Sequence, residues 1–398
     1  GYVVSAKLKK TTGYGVGTAA GVKRQVQYVE VPIFQSMFFF EHDLTIGQPA
    51  QMIVGGLIHT NADLYLNGST VGSLTVSGDA SYSGIYSDSK DAPFISSWAP
   101  WTPSAKLPPI YNAGGQTEQL SQVSRFEPFG AKPSSVLDPA PQSDASGRPI
   151  APVDSDNNPN NDSYRELIEP PVIGFVDPPE IAQRRLYNKA GIIIDIVGSA
   201  VTVRTSNGTS LNGGRVKDLQ DAVTGKTTIW DQREGKNVTV ANLDMSQVTT
   251  ALGKGGVNNF NGVLYIEDLT SGLADPNPKT IRLQNGGTLP DGGLTVVSQN
   301  PVYIQGDYNT GTGSDPSVVP ANATGNPNNT DSAVAPGYTE QPAAVIADSV
   351  MLLSNNWNDA NASLAVSSRP ASNTTYNTAI MSGFMPSGFQ PTSGAQYG

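Results

Sequence analysis

Along most of this 398-residue chain the apolar residues come in short runs that a glycine, asparagine or aspartate interrupts before a second helical turn can close. Asp43-Leu44-Thr45-Ile46, Met52-Ile53-Val54, Leu57-Ile58, Leu64-Tyr65-Leu66 and Leu74-Thr75-Val76 follow one another in this way. Short apolar runs bounded by turn formers specify strands, and closely spaced short strands build a sandwich, a barrel or a solenoid. The strongest signals are Gly191 to Val197 and Ala200 to Arg204, where a near-continuous β-branched run predicts a strand buried on both faces. Further runs lie at 228–230, 238–240, 262–266, 280–283, 294–297, 302–304 and 344–353. Only Leu243 to Leu252 carries an amphipathic helical spacing.

The recurring unit is a small polar turn, then alternating apolar residues, then Gly or Asn, and it repeats without a fixed period. It predicts a mainly β chain, an irregular β-solenoid or β-helix with long Pro-, Asn- and Gly-rich insertions. A β-sandwich with long loops would show much the same local pattern and stands as the alternative. The chain divides into a basic extended or strand segment (1–31, with Gln25 to Val31 alternating as a strand) and a first β block (32–87). A Pro-rich insertion follows (88–189), since proline removes a ladder donor; a short helix is expected near Pro179 to Lys189. A second β block (190–306), a loop insertion (307–342) and a terminal β block with its tail (343–398) complete it.

Charged residues make up only 15% of the chain, against roughly 25% in ordinary soluble domains, so the surface is built largely from Asn, Ser, Thr, Gln and Gly. Many extracellular β-proteins share that composition. Cysteine is absent, which excludes disulfides, thiolate metal sites and a Cys nucleophile and fits a bacterial exported or cell-surface protein. With 24 Lys and Arg against 34 Asp and Glu, the net charge of −10 opposes nucleic-acid binding. Lys7, Lys9, Lys10, Lys23 and Arg24 make the first segment basic all the same, and the simplest reading is contact with an acidic neighbouring subunit. No apolar run approaches the roughly 18 residues of a membrane span. Gly1-Tyr2-Val3-Val4 is not a signal sequence, so a leader or anchor is expected to be absent or already removed.

Candidate chemistry is sparse. His42 and His59 are the two histidines; His59, in His-Thr-Asn, suits a hydrogen bond at a strand end, and no Gly-x-Ser-x-Gly elbow supplies a nucleophile. The best constellation is Asp154, Asp156, Asn158, Asn160 and Asp162, whose alternate oxygen-bearing side chains suit the six to eight hard oxygens of calcium. Pro159 stands where an EF-hand loop needs Gly, and a solvated linker explains the same residues. Glu267 and Asp268 are neighbours on a strand and face opposite ways, so they cannot form an acid and base pair with each other. Asn329-Thr330-Asp331 matches one fragment of a pectin-hydrolase pattern without its Gly-His-Gly. Trp98, Trp101 and Trp357, if exposed, would stack on sugar rings.

At Val31 to Ile46 (Val-Pro-Ile-Phe-Gln-Ser-Met-Phe-Phe-Phe-Glu-His-Asp-Leu-Thr-Ile) and Gly56 to Leu66 the sequence resembles large bacterial exported proteins grouped with pilus-assembly proteins of the PilX type. It resembles them again at Gly293 to Asn309 and Pro342 to Trp357, blocks that together cover about a fifth of the chain. The resemblance implies a type IV pilin-like anatomy, an apolar N-terminal helix followed by a large extracellular β-domain. The chain departs from it in lacking that helix, and the family brings no catalytic residue. The expected function is a non-enzymatic extracellular structural or adhesive subunit of a type IV pilus-like or self-assembling appendage, with other copies, pilus-like subunits or surface glycans as partners. A carbohydrate-binding or carbohydrate-cleaving β-helix protein is the alternative.

Overall fold

The computed structural model describes residues 2–9, 19–26, 36–40, 44–47, 52–61, 64–67, 74–76, 80–82, 86–87, 111–112, 121–122, 142–143, 149–150, 167–171, 179–206, 211, 213–231, 235–253, 260–270, 277–312, 334–365 and 368–383. Two compact units divide the chain, Gly1–Gln35 and Ser36–Gly398. The first is an antiparallel pair, β1 (Tyr2–Lys9) and β2 (Ala19–Val26), with Tyr2 opposite Val26 and Lys9 opposite Ala19. Lys7, Lys9, Lys23 and Arg24 lie on these strands, whereas the strand expected over Gln25 to Val31 runs past Val26 into residues outside those described.

The second unit is mainly β. Its first strands are β3 (Ser36–Phe40), β4 (Leu44–Gly47), β5 (Met52–Val54), β6 (Leu57–Thr60), β7 (Leu64–Asn67), β8 (Leu74–Val76), β9 (Ala80–Tyr82), β10 (Tyr86–Ser87), β11 (Tyr111–Asn112) and β12 (Ser121–Gln122). Every third strand returns to the same sheet: β3, β6, β9 and β12 are parallel neighbours, as are β4, β7 and β10, and β5, β8 and β11. A small antiparallel pair follows, β13 (Gln142–Ser143) with β14 (Pro149–Ile150), then two short helices, α1 (Pro179–Ala182) and α2 (Leu186–Lys189), where a helix was expected.

Next come β15 (Ile192–Val197), β16 (Ala200–Arg204), α3 (Gly213–Asp221), β17 (Val223–Asp231), β18 (Lys236–Asp244) and α4 (Met245–Gly253), the last falling on the amphipathic stretch. From there the chain alternates between two sheets through β19 (Val263–Asp268), β20 (Lys279–Gln284), β21 (Leu294–Ser298), β22 (Val302–Gln305), β23 (Ala343–Ala347), β24 (Val350–Leu353) and β25 (Ala379–Ser382). One sheet has ten strands in the order β12-β9-β6-β3-β25-β23-β21-β19-β15-β16; the other has five, β17-β18-β20-β22-β24. Both are mixed, since β15 with β16 and β17 with β18 are antiparallel and every other pair is parallel. No closed barrel is formed among the described residues.

In-register parallel pairing keeps like side chains together across the core. Leu264, Val296 and Val345 are successive partners on one sheet, and Leu283, Ile304 and Leu352 on the other. Leu219 of α3 and Val248 and Ala251 of α4 join the same buried cluster. The earlier strands close a cluster of their own around Leu44, Val54, Ile58, Leu64, Val76 and Ala80. On the opposite face of the ten-stranded sheet, Tyr265, Val297, Ile346, Met381, Phe39 and His59 are each partner to the next, and all are buried too. Burial on both faces explains the continuous apolar runs of the second half.

Turns between strands are held by polar side chains. Asn309, fully buried and left-handed (φ 58°), donates through Nδ2 to the Gln341 and Asn377 carbonyls at 2.7 and 2.8 Å. Its Oδ1 accepts from the Gln341 amide at 3.0 Å and the Tyr338 hydroxyl at 2.7 Å. Gly293 (φ 98°) is also required, because a Cβ there would lie 2.3 Å from the Pro342 carbonyl oxygen. Asn309→Ala would strip partners from four groups and leave a residue with a Cβ and no compensating bonds in the left-handed region. A loss of about 3 kcal/mol in urea unfolding is expected, and an unchanged midpoint would show that this corner is not a structural tie.

Candidate functional site

A cluster of ionisable groups lies at the β16 end of the ten-stranded sheet. Alternation along β15 turns Ile192, Ile194 and Ile196 into the core and Ile193 and Asp195 to the other face. Parallel pairing sets Asp195 directly beside Glu267 of β19. The tight return at Gly198 (φ 63°) brings β16 back so that Arg204 reaches the same place. Its Nε donates to Asp195 Oδ2 at 2.8 Å and its Nη2 to Oδ1 at 3.2 Å. The same Nη2 donates to the Tyr187 hydroxyl of α2 at 2.7 Å. Tyr187 meets Tyr265 edge to face, and the Tyr265 hydroxyl donates to the Ile168 carbonyl at 2.8 Å, so the segment 167–171 and α2 cover this part of the face.

Glu267 is 2% exposed. Burial pushes its carboxyl up to about 7, the hydrogen bond and negative charge of Asp195 push the same way, and the Gln299 amide and Arg204 pull it back. The shift favours the protonated form of Glu267, which in that form donates to Asp195, while Arg204 holds Asp195 in a two-pronged ion pair. Two carboxyls that share a hydrogen bond lie closer together than the pairs glycosidases use. Retaining glycosidases need about 5 to 5.5 Å between theirs and inverting ones roughly 6.5 to 9.5 Å. What the arrangement can do is fasten β15, β16, β19 and α2 together and couple that fastening to pH.

The neighbouring Asp268 goes elsewhere. Its carboxylate, fully buried, meets Lys226 Nζ of β17 at 2.7 Å, and the same ammonium donates to Thr270 Oγ1 at 2.7 Å, linking the two sheets. A third network sits on the five-stranded sheet, where Arg282 donates to Asn242 Oδ1 (2.7 Å), Asp359 Oδ1 (2.6 Å) and Thr227 Oγ1 (3.1 Å).

Several residues singled out in the sequence are now placed. His59 is buried at the end of β6, with Nε2 2.9 Å from Asn61 Oδ1 and Nδ1 2.8 Å from Ser81 Oγ; burial lowers its pKa although the Asn61 bond opposes this. Trp357 is half-buried, its Nε1 donating to Asp359 Oδ1 at 2.8 Å and its side chain packed against the cluster that holds Ile229, Val238 and Val240; Trp230 is 38% exposed. Asp154, Asp156, Asn158, Asn160, Asp162, Trp98, Trp101 and the Asn329 fragment lie outside the described residues. Among the described residues no group of three or more His, Asp or Glu is placed to hold a metal ion. The signal for the carboxyl pair was Asp195 itself, a charge inside an apolar strand that needs a partner.

No family model matches the chain, and no curated protein does. Among solved structures, the crystal structure of the competence-associated pilin ComZ from Thermus thermophilus aligns at 10% identity over 97% of this chain and 80% of that one. The TM-score of 0.24 is too low for that likeness to carry weight on fold or role.

The carboxyl pair generates a pH dependence. Below about pH 4.5 Glu267 is protonated whether folded or unfolded; between about 4.5 and 7 only the unfolded chain loses the proton, so stability falls as pH rises and then levels off. Glu267→Gln removes this contribution, so the variant should gain on the natural chain by about 3 kcal/mol between pH 4.5 and pH 8. Urea unfolding at both pH values measures the difference, and a constant gap between the two proteins would refute it.

Proposed function

We propose that the chain is a non-enzymatic structural or adhesive subunit with a β-solenoid core, displayed outside a bacterial cell as part of a type IV pilus-like or self-assembling appendage. The observation that carries this reading is the strand order. From β3 to β12 every third strand returns to one sheet, and from β18 to β25 the chain alternates strictly between two, each pass stacking on the last in parallel register. Such stacking yields a surface set largely by turns, and the turns here are rich in uncharged Asn, Thr, Ser and Gly. The sequence blocks that resemble PilX-type exported proteins include β3, β4, β6 and β7, and β21 to β24, so the resemblance falls on these stacked strands.

Carbohydrate recognition is the second reading, favoured by the exposed Trp230. Cleavage has less support, because the carboxyl pair of Glu267 and Asp195 is hydrogen-bonded to itself.

Electron microscopy of the purified native material, with and without a calcium chelator, tests the proposal. Ordered filaments are expected, and their loss in chelator would support calcium at the loop of Asp154, Asp156, Asn158, Asn160 and Asp162. Discrete monomers that bind glycans on an array would replace the structural reading with the carbohydrate-binding one, and polysaccharide hydrolysis would overturn both.

A further inference from the structure

The ten-stranded sheet contains a junction that chain connectivity does not close. β25, the last strand in sequence, lies beside β3, the first strand of its unit, with Ile380 opposite Phe38, Met381 opposite Phe39 and Ser382 opposite Phe40. On one side, β3 to β12 carry their own interior of Leu44, Val54, Ile58 and Leu64; on the other, Leu264, Val296 and Val345 belong to a separate cluster. With no cysteine in the chain, no disulfide locks the two sides together. The contacts across the junction are the same whether its two strands come from one molecule or two.

We propose that this junction is an exchangeable interface, through which the β3 block of one copy pairs with β25 of a second copy. The proposal deepens the structural-subunit reading and rests on it. Main-chain hydrogen bonds supply the affinity, as in any strand addition, and the buried Phe39 against Met381 supplies the register. Because β3 and β25 are different surfaces, each exchange leaves one of each kind open, and these either close reciprocally into a swapped dimer or pair with further copies into an open chain.

Connectivity permits the exchange. In one molecule the chain must travel from β12 to the segment at Ile168 beside β19, seven strand steps along the sheet, or roughly 35 Å at about 4.8 Å per step. Leaving out the β13–β14 pair, the 35 residues of 123–166 that remain have by number alone a maximal contour of about 115 Å, enough for the β3 block to reach a neighbour. The balance between closing on itself and pairing with a neighbour is then set by the effective concentration of that tether, on the order of millimolar. At the β16 end of the same sheet growth is less available, since α3 packs there and Gln220 Nε2 donates to the Val201 carbonyl at 2.7 Å.

Phe40→Cys and Ser382→Cys, placed in separate full-length chains, test the exchange. The two are mixed in denaturant, refolded at about 5 µM and at about 500 µM, and oxidised. A covalent heterodimer is expected whose yield rises on the order of fiftyfold between the two concentrations and exceeds that of either variant alone. Heterodimer no more abundant than the self-pairs at both concentrations overturns the exchange. Should Phe40→Cys fail to fold, the unmodified chain refolded at the same concentrations gives the answer by size-exclusion chromatography. Oligomers that persist after dilution support exchange, and monomer alone refutes it. Filaments in the microscope without the cross-link would remove this inference and leave the structural role standing, whereas the cross-link without filaments would do the reverse.

Discussion

In-register parallel pairing is the constraint on which the rest of this structure depends. A parallel ladder sets each residue beside the residue at the equivalent position of the next strand, so one choice of face at β15 propagates through β19, β21, β23, β25, β3 and β6. Where that face is apolar the result is a continuous core. A slip of one residue at β15, β19 or β20 would exchange the two faces and carry Asp195, Glu267 or Arg282 into the Ile, Val and Leu cluster.

The same rule decides where charges are tolerated. Glu267 is buried and Asp195 beside it half-buried, and two carboxylates side by side there would repel one another. Keeping one proton between them, with Arg204 on Asp195, resolves the conflict. Lys226 with Asp268, and Arg282 with Asp359, answer the same problem elsewhere. Such pairs add less stability than their short distances suggest, because each ion gives up its hydration first. Their stronger effect is on register, since each carboxylate finds its cation only in one alignment of the strands.

Composition follows from the same geometry. A chain that turns every few residues needs many groups able to cap carbonyls and amides at tight corners, and Asn309, Asn355 and Asn300 do this for neighbouring turns. Low charge and abundant Asn, Ser, Thr and Gly are thus explained by the corners themselves. The turns differ in length: the first-sheet strands begin at Val263, Leu294, Ala343 and Ala379. Unequal turns conceal a structural repeat that is regular in order, and a search for a fixed period therefore finds none.

By itself the sequence determined the local elements: the strand runs at Ile192 to Val197 and Leu294 to Val297, the amphipathic α4, the short helices near Pro179 to Lys189 and the opposite facing of Glu267 and Asp268. Each of these depends on spacing within a few residues, through side-chain alternation or helical periodicity. Only the tertiary structure decided that Asp195 meets Glu267, that Arg282 meets Asp359, and that β25 lies against β3. Those contacts join residues far apart in the chain, and nothing in either segment alone states its partner, because a parallel ladder offers every strand the same backbone hydrogen bonds. The choice among them is made by the whole set of buried side chains at once.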